Sequence, residues 1–326
     1  MKQLGAELEI AVLKLKNTAG TFINAFANAT TAARTWTMPD RDQVFAGWID
    51  IKKLCDFRLT LTSNTPVTTS DVTGATTIYC TPFNGNSIAL FDGTNWNLRQ
   101  STQMSIALGT LTNAIGYDVF CYDNAGTPTL ELAAWTNATT RATALVYQDG
   151  ILVKSGATTR RYLGSFYTTS TTTTEDSAAN RYLFNYYNRI EKPLLKLESA
   201  TDWDYAATAF RQANNNTANK VSVFKGVDED IVQCAIYINA AQANSPAAWM
   251  KAVVAIGLDS TTTQATKSFG VLTYTYPGVV SSPHAHFAAY IGQGKHDLVW
   301  LESCYDTYSV KFYGNNLSGL IGSTKC

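Results

Sequence analysis

Charge is scarce in this chain. Only 15% of its 326 residues are Asp, Glu, Lys or Arg, against about 25% in ordinary soluble domains. The 25 basic and 25 acidic residues cancel, and the pI is near 6.8. There is no basic stripe, and a pair such as Arg160-Arg161 stands isolated. Attraction to nucleic acid or to an anionic membrane surface needs such a stripe, so no nucleic-acid partner is expected.

Long apolar runs are missing too. No stretch approaches the roughly 18 residues that read as a membrane-spanning helix, so no membrane insertion is expected. The opening MKQLGAELEIAVLKLK carries Glu7 and Glu9 inside its apolar run and no small-residue cleavage site, unlike a secretory signal. Synthesis and first folding in a cytosol are therefore expected.

The usual marks of catalysis are absent as well. Phosphate-binding, dinucleotide-binding and nucleophile-elbow glycine motifs do not occur. The three histidines, His284, His286 and His296, have no evident Ser or Cys partner for a triad. Cys55, Cys80, Cys121, Cys234, Cys304 and Cys326 form no C-x-x-C pair, which excludes a zinc ribbon or thioredoxin motif. Most lie in apolar strand patterns such as Val119-Phe120-Cys121-Tyr122 and read as reduced, buried thiols. No catalytic residue and no cofactor are assigned, and the chain reads as a non-enzyme.

What fills the space left by charge is threonine, 44 residues of it, together with abundant Asn and Ala. Threonine is β-branched and suits exposed strand faces. Hydrophobic residues make up 45%, aromatics 12% with 17 Tyr, and the mean hydropathy is −0.09. That is enough for a sizeable core. The composition predicts a large all-β protein with a hydroxyl- and amide-rich surface.

Residues 1–50 read as a first unit, an N-terminal β hairpin and stalk segment. Leu8, Ile10 and Val12 alternate, Asn17–Gly20 signals a turn, and Thr21-Phe22-Ile23 follows. The spacing Leu4, Leu8, Val12, Leu15 also fits a helical face, so both readings stay open for the first dozen residues. Then Thr30–Trp48, TTAARTWTMPDRDQVFAGW, runs a short polar strand into a Pro-Asp turn. It has nothing of its own to bury and looks built for completion by another chain.

Residues 51–165 hold short strands every eight to twelve residues, separated by Asn84-Gly85, Asp92-Gly93, Asn124–Gly126 and Asp149-Gly150. This predicts a β-sandwich, with Asp149-Gly150 as a type I′ hairpin turn. Tyr167–Asn180, YTTSTTTTEDSAAN, has almost no large apolar side chain, and residues 166–180 read as a Thr-rich linker or long surface loop. Residues 181–326 resume with about nine strands, as a jelly-roll-like domain would. Ala240–Ala248 reads as a possible helical turn limited by Pro246.

Two groupings carry chemistry. His284 and His286 stand at i, i+2, on one face of a strand, where both imidazoles could meet a divalent metal. At a threefold axis three chains would supply six nitrogens. Pro283 raises the alternative of a loop with solvent-facing histidines. Glycan cleavage needs two facing carboxylates, but the consecutive Asp228–Asp230 point apart in a turn and Glu175-Asp176 sit in the polar linker. The aromatic run Arg181–Tyr187 could stack on sugars, but its alternate rings suit a core better.

Several passages carry a resemblance. TTAARTWTMPD resembles a short T-A-x-R-T-x-T-x-P-D element of bacteriophage tail-fibre stalks. Residues 59–96, LTLTSNTPVTTSDVTGATTIYCTPFNGNSIALFDGTNW, are similar to a module common in tail-fibre and other virion fibre proteins, and the similarity continues through Arg160–Asn188. The end, GKHDLVWLES…VKFYGNNLSGLIG, looks like the last strands of a trimeric, complement-head-like jelly roll. The resemblance implies a homotrimer in the virion, attached to other virion proteins by residues 1–50 and contacting a host surface glycan or protein. Three copies of the polar strand would bury Trp36 and Met38 between chains. The long repetitive shaft of many tail fibres is absent, so a capsid head fibre, decoration (cement) protein or tail adaptor is the alternative. From another class, a tail-associated glycan depolymerase would need a carboxylate pair in a groove.

Overall fold

The computed structural model describes residues 12–16 and 23–27 as backbone, and residues 51–243, 249–276, 278–304 and 309–326 in full. The chain divides into two units, Met1–Phe45 and Ala46–Cys326. In the first, Val12–Lys16 pairs antiparallel with Ile23–Ala27, Val12 opposite Ala27 and Lys16 opposite Ile23. This is the hairpin that the alternation predicts. Trp36 and Met38 lie outside the described residues.

The second unit is all-β. Among the described residues the chain as a whole forms twenty-nine strands and a single 3-10 turn. In the N-terminal half of this unit, a sheet of six strands is centred on Gly116–Asn124 and Ala157–Tyr167. It packs against the small sheet Phe57–Thr60, Thr77–Pro82 and Met104–Ala107 and the hairpin Ser87–Phe91/Trp96–Gln100. Phe57, Leu59, Ile78, Ile88, Val119, Cys121 and Phe166 fill the space between. The turn at Asp149-Gly150 puts both residues at positive φ, +52° and +84°. A two-residue hairpin needs that geometry, and Asp-Gly supplies it cheaply.

The C-terminal half is a second sandwich. An eight-stranded sheet contains Met250–Leu258, Gly294–Cys304 and Lys220–Lys225, and faces a five-stranded sheet. Val254, Ile256, Leu298 and Trp300 from the first meet Val232, Ile236, Phe287 and Leu320 from the second. Trp203, on a further three-stranded sheet, closes the core against Trp300 and Phe312 with ring centroids 6.1 and 5.9 Å away. All six cysteines are free and buried.

Several expectations need correction. The Thr-rich 166–180 segment is not a free linker. Thr174–Asp176 pairs with Val72–Ala75 on one side and with Asn180–Arg181 on the other, and Asn180–Arg181 pairs in parallel with Lys220–Lys225. One sheet therefore draws strands from both halves. Beyond Phe166 and Tyr167 the segment has no large apolar side chain to announce this, and its polar groups are satisfied within the fold. Thr168 Oγ1 donates to Thr112 O (2.9 Å), Thr174 Oγ1 donates to Tyr167 O (2.7 Å), and the buried Asp176 carboxylate pairs with Arg181 (3.2 Å) and Lys192. The stretch read as a helical turn begins as strand Asn239–Gln242, paired with Val310–Tyr313. Positions 244–248 lie outside the described residues. Arg181–Tyr187 is two short strands broken at Tyr182, whose ring leaves the ladder to pack with Trp135 and Phe224 at the seam of the two halves.

Candidate interaction face

The five-stranded sheet runs in the order Glu191–Leu197, Gly319–Lys325, Val232–Tyr237, His284–Ala289, Ser268–Gly270. Strand geometry sends alternate side chains to opposite faces. The inward set (Leu194, Leu320, Ile236, Ala285) is core. The outward set should be polar and charged, as on a half-solvated sheet; here it is uncharged and mixes apolar side chains with a few polar ones. Register places Leu195, Ile321, Ala235, His286 and Phe269 side by side across all five strands. The adjacent row holds Leu197, Gly319, Tyr237 and His284. The third holds Pro193, Ser323, Gln233 and Ala288. Phe269 is 71% exposed, Tyr237 52% and Ile321 50%.

In these three rows no Asp, Glu, Lys or Arg points outward. Charge begins at one end, where Glu191 lies opposite Lys325 and accepts from Ser323 Oγ at 2.5 Å. At the other end the exposed Val280 and Leu317 border a cleft of about 320 Å³ that also contains Asp202, Asn239 and Tyr313. The contrast within the molecule is plain. The six-stranded sheet of the N-terminal half carries Glu131 paired to Lys154 (2.6 Å) and Arg160 (3.1 Å), with Arg160 over the Tyr122 ring.

His284 opens its strand despite Pro283, and its carbonyl accepts from Val271 N–H at 2.8 Å. Its ring stands 5.7 Å from that of His286, which in turn meets Tyr237 edge-on at 6.0 Å. The structure thus brings the two histidines together on one face. It does not bring His296, which lies in the large sheet with Nδ1 2.7 Å from Asp259 Oδ2. Burial pushes the Asp259 carboxyl up, but the His296 ring and the Asp297 N–H outweigh it and hold the carboxyl below its usual range. Among the described residues no group of three or more His, Cys, Asp or Glu is gathered to hold a metal. Two imidazoles from one chain would need ligands from another copy.

The carboxylate clusters are engaged elsewhere. Glu229 pairs with Arg189 at 2.7 Å, and Asp230 pairs with the same guanidinium. Both line a groove of about 340 Å³ with Glu191, Gln233 and the exposed ring of Tyr290. Glu175 accepts from Ser177 and Asn180, and Asp176 is buried between two cations. Of the Arg181–Tyr187 rings, Tyr182 and Phe184 are buried, and Tyr186 lies 5.5 Å from Tyr162 in the seam.

Sequence reading did not find the apolar rows. The signal was present: EKPLLKL and GLIG carry apolar residues at both parities, which a strand with one solvated face does not need. No protein-family model and no curated protein matches this chain.

Proposed function

We propose that this chain is a bacteriophage virion structural protein, a short homotrimeric tail fibre that contacts the host cell surface. In this reading residues 1–50 attach it to other virion proteins, and the C-terminal half is a complement-head-like jelly roll. The observation that carries the reading is the uncharged apolar face of the five-stranded sheet. Surfaces of this kind mark proteins that work by contact. The continuous sheet shared by both halves of the second unit suits a rigid body that bears load. The stalk-like TTAARTWTMPD element and the fibre-like residues 59–96 add the virion context.

A second reading, a capsid head fibre or decoration protein, rests on the same contact face. A labelled antibody against residues 51–326 separates the two on intact particles, at the tail for the first and on the capsid for the second. No labelling of particles overturns both. A depolymerase would use the groove beside Glu229, Asp230 and Tyr290, and would release reducing ends from host polysaccharide.

A further inference from the structure

We infer that a second copy of this chain covers the outer face of the five-stranded sheet, with Leu195, Ile321, Tyr237 and Phe269 as the buried contacts. The inference deepens the assembly reading above and rests on it for the virion context only. Three observations lead to it. The first is extent. Five strands spaced roughly 4.8 Å apart and three to seven residues long, at roughly 3.3 Å per residue, give a flat footprint of at most about 24 by 23 Å. Side-chain relief and the exposed Val280 and Leu317, which stand beside Asp202 and Asn239, add to this, and about 800 Å² per partner makes a standard interface. The second is charge. Around a symmetry axis identical residues come close to one another, so a charged face would repel its own copy. The three rows carry no charged side chain outward. A partner recognised by charge would find nothing here to steer it. The third is composition. Aromatic and aliphatic anchors, Phe269, Tyr237 and Ile321, stand in the central rows, and the Glu191–Lys325 pair lies at the margin. An apolar centre with a polar rim is the anatomy of a protein–protein contact.

Alternative occupants fit less well. The groove lined by Glu191, Asp230 and Tyr290 carries charge and lies at one end, meeting the three rows only at Gln233 and Ser323. A glycan partner would call for free hydrogen-bonding groups in the central row, which offers only the His286 imidazole; His284, Tyr237, Gln233 and Ser323 flank it, and Gln233 already donates to Ser323 Oγ at 3.0 Å.

The test is the mass of the full chain by light scattering at 1–50 µM, for the native protein and for Ile321→Glu, Phe269→Glu and Tyr147→Glu. The native protein is expected at a multiple of 35.5 kDa, three for the proposed trimer. Ile321→Glu and Phe269→Glu should associate at least tenfold more weakly. Tyr147→Glu, a control 67% exposed in the N-terminal half, should not. Ile321 and Phe269 are themselves half or more exposed, so circular dichroism should report unchanged folding. Should either variant misfold, the native protein still decides. Diethylpyrocarbonate should modify His286 slowly in the assembly and faster on dilution to the monomer. Variants that keep the native mass, or a His286 equally reactive in both states, overturn the assignment of this face while leaving the assembly reading intact. A native monomer at 50 µM overturns self-coverage, and particle labelling then tests the virion reading independently.

Discussion

Arg141 and Asp118 form an ion pair at 2.9 Å, with side-chain exposures of only 8% and 3%. The pair stands at the seam between the two halves of the second unit. Arg141 also donates to Gln293 Oε1 at 2.7 Å and to Gly226 O, both from the C-terminal half, and lies over the Trp135 ring. Asp118 accepts from Ser165 Oγ at 2.7 Å, and Ser165 hydrogen-bonds Tyr162 Oη at 2.6 Å. Removing one partner leaves a buried charge without its counter-ion. Asp118→Ala is expected to cost about 3–5 kcal/mol in urea unfolding. Asp118→Asn, which keeps an acceptor, should cost less. Equal losses for the two would show that the charge is not what matters.

Gly226 lies against the same network. A Cβ there would collide with Tyr162 Oη and stand 2.6 Å from Phe184 Cδ1 and 2.8 Å from Ser165 Oγ. Gly226→Ala is expected to destabilise by about 1–3 kcal/mol through overpacking. Thermal melting of the variant checks this, and an unchanged midpoint would mean that the seam yields.

The acid limb of stability should depend on Glu198. Burial pushes its carboxyl up, but the Ala200 N–H and the Asn216 and Asn219 amides outweigh this and bring it down to about 2 from the usual 4.5. A depressed folded value stabilises fully above the ordinary value, and the gain disappears as pH falls from about 4.5 towards 2. The contribution is at most on the order of 3 kcal/mol. Urea midpoints between pH 6 and 2.5 should fall less steeply for Glu198→Gln than for the native protein. Glu302 has the opposite sign: burial holds its carboxyl above the usual range despite Trp203 Nε1 at 2.6 Å and Arg211. Its contribution is complete at low pH and is lost as pH rises through the raised value, so Glu302→Gln should not flatten the acid limb.

A fragment of residues 46–326 should fold by itself, since the strands of the second unit all come from within it. Its β-type circular dichroism and melting midpoint should match those of the full chain. In phage assembly the same fragment should fail to join particles if residues 1–50 attach the protein. Normal incorporation would remove that role.

The histidine pair gives a prediction tied to assembly. One chain presents two imidazoles, whose ring centroids are 5.7 Å apart, and among the described residues no larger group of metal-ligating side chains. Zinc retained after gel filtration should therefore appear only in assembled protein, near one ion per three chains. It should be absent from the His284→Ala/His286→Ala double variant and from dissociated Ile321→Glu. Retention by a monomer would place the ion elsewhere.

The sequence by itself determined the class of fold and many of its strands. Ser87–Phe91, Ile151–Lys154 and Lys220–Lys225 stand where alternation puts them, and Asp149-Gly150 turns as its residue types require. These are local matters, settled by side-chain parity and by which residues tolerate positive φ. Burial of most of the thiols followed from their apolar settings in the same way, whereas that of the terminal Cys326 did not. Tertiary structure alone decided the rest. Ala157–Tyr167 is a long central strand although it carries Arg160 and Arg161. Arg161 is buried because Lys52, Lys53 and Ala89 carbonyls and the Tyr187 hydroxyl, all distant in sequence, accept its protons. The Thr-rich segment became sheet because Val72–Ala75 waited a hundred residues upstream to pair with it. The interaction face exists only through register: Leu195, Ile321, His286 and Phe269 are scattered over 127 positions, and antiparallel pairing sets them in one row. Periodicity tells a strand which of its faces are apolar. Which neighbour covers each face depends on pairing across the whole chain, and one sequence read locally does not contain that information.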